Sequence, residues 1–197
     1  NENPTIDGIL VQLPLPPHIN SNKIIEAIHP EKDVDGFSSE NVGKLSQNKA
    51  FICPCTPRGV MKMLESIKYD FKGKDCVIIG ASNIVGRPMS MELLNAGATV
   101  QVCHKGTKNI IEKTKAADVI IAAAGAAKLV KSDWVKEGAV IIDVGINRLE
   151  DGTLSGDVDF DDVKDKVSAI SPVPGGVGPM TIAVLLENTL IAYQAKL

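Results

Sequence analysis

Asp75-Cys76-Val77-Ile78-Ile79-Gly80-Ala81-Ser82-Asn83-Ile84-Val85-Gly86 is the stretch on which the fold turns. Cys76–Ile79 is apolar at every position, without the alternation of a strand that has one wet face. Such a run suits a strand of a parallel sheet covered on both sides. It stops at Gly80, and Gly86 opens a helix running to Gly97. Met89, Leu93 and Leu94 supply its apolar face, and Gly97 its C-terminal stop. A glycine-bounded turn between strand and helix presents free backbone N–H groups at the positive end of a helix dipole. That arrangement suits a pyrophosphate, and Ser82 adds a hydroxyl donor. The spacing departs from G-x-G-x-x-G, so a bare turn with no ligand stays open as the other reading.

Working outward, the same texture repeats. Strands are expected at Thr99–His104, Asp118–Gly125 and Ala139–Asn147, with a strand or extended segment at Ser168–Val173. Helices are expected at Thr107–Ala117, at Phe160–Lys166 and from Pro179 to Leu197. A short one capped by Ser132 or Asp133 runs through Lys136, and a turn occupies Glu150–Thr153. This alternation predicts an α/β fold, a Rossmann-like doubly wound parallel sheet. Before Lys74 the pattern changes. Ile6–Val11 reads as a strand and Leu13–Pro17 as a rigid extended stretch. Asn22–Ile28 reads as a helix burying Ile24, Ile25 and Ile28. Pro54–Pro57 is a stiff crossing into a helix over Gly59–Ser66. We expect residues 1–53 to be the remnant of a second α/β domain, 54–175 the dinucleotide-binding domain, and 176–197 a helix returning to the first. The first and last parts together fall short of the usual ~100–150 residues of a domain. Residue 1 is Asn and by Ile6–Val11 the chain reads as already in a strand, so a preceding segment is expected.

Composition excludes several functions. The 197 residues carry 21 Lys and Arg against 24 Asp and Glu, a net charge of −3, so no basic surface points to nucleic acid. No apolar run is long enough for a bilayer, and no secretory signal opens the chain. Cys53-Pro54-Cys55 lacks the C-x-x-C spacing of redox and zinc sites, and Cys76 and Cys103 lie in apolar runs. All four are expected to be reduced and structural in a cytoplasmic protein. His18, His29 and His104 are scattered, so no metal site is expected.

The second strand bears on the cofactor. NAD-binding units carry an acid about 20 residues on, bonded to the ribose 2′-hydroxyl. Here the strand ends in His104-Lys105. A cation there suits a 2′-phosphate, which favours NADP, although a solvated loop lysine is the other reading. Gly125 and Gly145-Ile146-Asn147 leave room for a flat ring at two further strand ends. Two polar clusters and a glycine loop lie elsewhere. Gln12 is followed by prolines that fix its position. Lys32-Asp33-Val34-Asp35-Gly36 places two acids before a glycine without the further ligands of an EF-hand, and one of the two suits a structural turn. Pro172-Val173-Pro174-Gly175-Gly176-Val177-Gly178-Pro179-Met180-Thr181 is a glycine loop at a helix start, shaped to clamp a flat or anionic ligand.

These clusters occur in one order with Pro54-Cys55-Thr56-Pro57, Ser82–Met89, Asp143–Asn147 and Gly156-Asp157-Val158. Together they resemble the bifunctional methylenetetrahydrofolate dehydrogenase/methenyltetrahydrofolate cyclohydrolase family over essentially the whole chain. The resemblance implies a two-domain homodimer with a cleft between domains. It implies NADP-dependent oxidation of 5,10-methylenetetrahydrofolate and hydrolysis of the methenyl product to 10-formyltetrahydrofolate. It implies catalytic roles for Gln12, beside a lysine, and for Asp35, which holds the pterin. Leu13 and the loop of Pro174, Gly175 and Gly176 flank the folate, and Gly80, Ala81, Ser82 and Ile146 match cofactor positions, with Lys105 added from the residue reading. Two departures stand out. Ala81 replaces an arginine that contacts the 2′-phosphate, leaving that role to Lys105 and Arg87. The family's Tyr-x-x-x-Lys motif is absent, because Gly73 and Leu197 lie four residues beyond Tyr69 and Tyr193. The resemblance places that lysine upstream of Asn1. A non-catalytic dinucleotide- or folate-binding fragment is therefore the alternative.

Overall fold

In the computed structural model, which describes residues 1–196, the strands are β1 (Asp75–Ile79), β2 (Thr99–Cys103), β3 (Val119–Ala122), β4 (Val140–Asp143), β5 (Asn147–Arg148), β6 (Leu154–Ser155) and β7 (Ala169–Ile170). The helices are α1 (Ser21–Ala27), α2 (Ser39–Ser46), α3 (Cys55–Ser66), α4 (Gly86–Asn95), α5 (Ile110–Ala116), α6 (Phe160–Val163) and α7 (Val177–Gln194). A five-stranded sheet runs in the order β2-β1-β3-β4-β7 with every neighbour parallel. The order reverses direction between β1 and β3. In such sheets ligands bind beyond the carboxyl ends of the strands at that point.

The apolar runs explain the layering. Every residue of β3 and β4 is buried. Cys76, Ile78, Val119, Ile121, Val140 and Ile142 meet Val60 and Leu64 of α3 and Met89 and Leu93 of α4. The intervening residues Val77, Ile79, Ile120, Ala122 and Ile141 meet Val130, Val135, Val158 and Val163 on the other face. A strand buried on two sides has no position for an unpartnered polar side chain, hence runs that stay apolar up to Asp143 at the end of β4. The expected doubly wound sheet is present. Among the described residues no helix is long and apolar enough to cross a membrane.

Several local expectations change. Ile6–Val11 forms no strand: one bridge joins Ile9 to Asp33, and Ile6 and Leu10 are exposed. Leu13–Pro17 is bent at a cis Leu13–Pro14 peptide, and Ile19 N–H turns back to the Pro16 carbonyl. α1 starts at Ser21 on an Asn20 cap, and Ile24, Ile25 and Ile28 are only half-buried. α3 begins four residues early, at Cys55, because Pro54 ends the extended crossing and Pro57 fits the first turn. The turn after Lys131 is a single 3-10 turn with no side-chain cap from Ser132 or Asp133. Ala139–Asn147 splits into β4 and the first strand of a hairpin, β5 with β6. α7 starts at Val177, with Pro179 in its first turn, and its expected end at Leu197 lies outside the described residues. α2 was not expected at all.

α7 ties the two ends of the chain together. It crosses α3 so closely that a Cβ on Gly59 would stand 3.2 Å from the Met180 carbonyl carbon. Asn188 is buried and its amide donates to the carbonyls of Val34 and Cys53, both at 2.9 Å. Val34, Ile52 and Ala192 form a small cluster of their own beside it.

Candidate active site

Two buried aspartates frame the carboxyl edge of the sheet. Asp157 accepts from the N–H groups of Ala124 (2.6 Å), Gly125 and Ala126 (both 2.9 Å) and from the Asn147 amide (2.9 Å). Those N–H groups leave the end of β3, where no strand partner remains for them. Asp143 does the same at the end of β4, accepting from Gly145, Asp157 and Val158 at 2.9 Å each. Burial pushes the Asp143 carboxyl above its usual range, and these donors pull partly the other way. Sequence reasoning gave both aspartates only as family markers. The local signal, Asp-x-Gly after a strand and Gly-Asp ahead of another segment, does not reveal that the two meet.

The β1–α4 turn sits at the switch point. Gly80 has φ +134°, and a Cβ there would run into the Ala123 carbonyl; a Cβ on Gly86 would run into the Gly80 carbonyl and stand 2.9 Å from Ala81 Cα. Only two glycines let the turn fold this tightly. Ser82 Oγ accepts from the N–H groups of Val85 (3.2 Å) and Gly86 (3.4 Å). Gly80 N–H donates to the Cys103 carbonyl at 2.8 Å, so the N–H groups that the turn leaves for a pyrophosphate are those of Ala81–Ile84, and that row fits a dinucleotide. Ile79 pairs with Cys103, so Ala81 and Lys105 emerge from the ends of adjacent strands. Lys105 is exposed there, in a turn closed by Thr107 N–H on the His104 carbonyl at 2.8 Å.

A cavity of about 430 Å³ lies beyond β4. Its wall brings together Gly145, Ile146, Pro174, Gly175 and Gly176 with Val85 of the phosphate turn. Ile146, 64% exposed, offers an apolar face to a ring. Gln12, Leu13, Asp35, Gly80, Ala81, Ser82 and Lys105 do not line it. Leu13 instead lines a separate cavity of about 350 Å³ with Ile25, Phe37, Ile84 and Arg87. Gln12 is exposed and its amide donates to the Leu13 carbonyl at 2.9 Å.

The two acids of Lys32–Gly36 part company. Asp33 is buried and structural, accepting from Gly36 N–H (3.0 Å), Ser38 N–H (2.8 Å) and the Asn41 amide (3.0 Å). Asp35 is half-buried, and burial and the Asp33 charge push its carboxyl up to about 6, partly offset by a bond from the Cys55 thiol. Burial pushes the Cys53, Cys55 and Cys76 thiols up to about 12, so they are unreactive packing groups. Cys55 leads directly into Thr56, which lines the 430 Å³ cavity.

A doubly wound sheet with a phosphate cradle at its switch point and an apolar cavity alongside defines a dinucleotide-binding oxidoreductase domain. The chain belongs to the tetrahydrofolate dehydrogenase/cyclohydrolase family: residues 54–197 match the family's NAD(P)-binding domain and residues 1–35 its catalytic domain. It is 62% identical to the bifunctional protein FolD of Vesicomyosocius okutanii, over all of this chain and 71% of that protein. It is similar to the bifunctional FolD structure from Campylobacter jejuni, with a TM-score of 0.98 and 58% identity, covering 100% of this chain and 70% of the other. The Trypanosoma brucei FolD structure, complexed with NADP cofactor and inhibitor, has a TM-score of 0.94 at 40% identity, covering 100% and 69%.

Proposed function

We infer that this chain serves the NADP-dependent oxidation of 5,10-methylenetetrahydrofolate to 5,10-methenyltetrahydrofolate, and the hydrolysis of that product to 10-formyltetrahydrofolate, in one-carbon metabolism. The observation that carries the reading is one continuous wall: Val85 of the phosphate turn, Ile146 beyond β4 and the Pro174–Gly176 loop face the same cavity. NADP, when bound, accepts the hydride leaving the one-carbon bridge. The residues supply the rest. Gly80, Ala81 and Ser82 hold the pyrophosphate, and Lys105 faces the 2′-phosphate. Ile146 supports the ring, and the glycine loop sets the folate beside it. Asp35 accepts from the pterin N–H groups, and Gln12, freed from Leu13, hydrogen-bonds the group that moves the proton when water attacks the methenyl carbon.

The same reading divides the chain into a folate side, residues 1–53 with 176–197, and a cofactor side, residues 54–175. Asn188 bonding to Val34 and Cys53 supports the first grouping. It takes the working unit to be a homodimer in the cytoplasm. The test is direct: purified full-length protein given 5,10-methylenetetrahydrofolate and NADP should form NADPH, then 10-formyltetrahydrofolate. Formation of neither would sink the reading.

A further inference from the structure

Asn188 is the polar residue that α7 buries, and it is only 2% exposed. Its amide nitrogen carries two protons, and two carbonyls take them, those of Val34 and Cys53 at 2.9 Å each. These carbonyls belong to different segments. Val34 directly precedes Asp35, and Cys53 directly precedes Pro54 and α3. The same segments press together at Gly36, where φ is +73° and a Cβ would stand 2.7 Å from the Cys53 carbonyl carbon. Asn188 therefore clamps the turn carrying Asp35 against the start of α3. It lies about three turns along α7 from Val177, which follows the Pro174–Gly176 loop.

The Cys55 thiol has one proton and two acceptors within reach. Its Sγ lies 3.3 Å from the Val34 carbonyl, and it also bonds the Asp35 carboxyl. Asn188 already serves the Val34 carbonyl, and a carboxylate is the stronger acceptor of the two. The thiol, kept protonated by burial, thus gives its proton to Asp35. We propose that Asn188 is a positioning residue for Asp35: its amide holds the Asp35 turn at a fixed place along α7 relative to the glycine loop and frees the Cys55 thiol to donate to the Asp35 carboxylate. This rests on the reading of Asp35 as the pterin acceptor and adds the group that orients its carboxylate. The titratable groups bearing on Asp35 are Asp33 of its own turn and Cys55 of α3. α7 brings the uncharged Asn188, and the neighbouring Glu187 is paired with Lys62 at 3.0 Å.

The test titrates tetrahydrofolate into the full-length protein by fluorescence across the pH range around 6, with NADP affinity measured alongside. Asn188→Ala should weaken tetrahydrofolate binding roughly three- to tenfold at neutral pH, the worth of one hydrogen bond. The released Val34 carbonyl takes the thiol proton, Asp35 loses a donor to its ionised form, and the pH at which affinity falls should move up from about 6. NADP affinity should not change. Cys55→Ala should move that midpoint by the same amount, and the double variant no further, because the two residues act through one proton. An unmoved midpoint in Asn188→Ala, or shifts that add in the double variant, would overturn the proposal. If Asn188→Ala does not fold, Cys55→Ala, which keeps the Asn188 bonds, decides by itself: an unmoved midpoint overturns the proposal. A wild-type affinity that is flat across this range would overturn the role of Asp35, and a wild-type protein that binds neither tetrahydrofolate nor NADP would overturn the enzyme reading.

Discussion

Asp35 and Asp33 show how differently two acids in one short motif can behave. Three donors saturate Asp33, whereas Asp35 keeps a carboxyl whose ordinary value of 3.8 is raised to about 6. The raised value means that Asp35 contributes stability below pH ~4 and loses it as pH rises through about 6. The proposed pterin contact runs the other way, because N–H donors on the ligand would need the ionised form of Asp35. Folate affinity, measured by fluorescence titration, should therefore fall as pH drops below about 6. Asp35→Asn should weaken binding roughly ten- to a hundredfold at neutral pH and flatten that dependence. An unchanged, still pH-dependent affinity would return Asp35 to a turn-forming role. Cofactor choice rests on a second residue pair. With Ala81 in place of arginine, Lys105 is a single point charge, weaker and more salt-sensitive than a bidentate clamp. NADP should be preferred over NAD by a modest margin in kcat/KM. Lys105→Ala should erase most of it and Ala81→Arg should widen it, whereas a neutral Lys105→Ala would show that the strand end is misread. Lys105 stood out as a cation where an NAD-binding strand end would carry an acid, whereas Asp35 was picked out only by the family resemblance, since the residue pattern left either acid of the pair as a turn former. Asp143 and Asp157 did not stand out, since their partners come from strands far apart in sequence.

At the level of elements, the sheet was readable because a strand buried on both faces has to be apolar throughout, and Cys76–Ile79, Val119–Ala122 and Val140–Ile142 are. α2 was missed because Ser39–Ser46 buries little, only Asn41 and Leu45, and carries Gly43 in its middle. Its signal lay elsewhere, in the Ser38 cap and the Glu40–Lys44 pair one turn apart, at 2.7 Å. Ile6–Val11 misled for the opposite reason. It has strand composition, but a strand also needs a neighbour, and among the described residues it has one bridge. The hairpin of β5 and β6 has two residues per strand, too short for any periodicity. Strand ends depend on non-local groups most of all. Asp157→Ala removes the acceptor of three backbone N–H groups of Ala124–Ala126 and should cost about 3–4 kcal/mol in chemical denaturation. A loss under 1 kcal/mol would mean that water replaces the carboxylate there.

Across the whole molecule, the sheet order, the phosphate turn and the glycine loop converge on one edge, and that convergence supports the proposal that two ligands meet there. The glycines at the strand ends and the order of the motifs point to that edge in the sequence, because glycines and prolines fix backbone shape locally. The pairing of α3 with α7, which sets Thr56 against Thr181, was invisible in sequence: the two residues are 125 positions apart. The account's central claim is that NADP and folate share the cavity beyond β4. A crystal structure of the protein with NADP and a folate analogue tests it most directly. The account predicts the pyrophosphate on the N–H groups of Ala81–Ile84, the nicotinamide against Ile146 and the folate ring against Pro174–Gly176. A cofactor bound at any other edge of the sheet, or a folate analogue seated away from that loop, would contradict it.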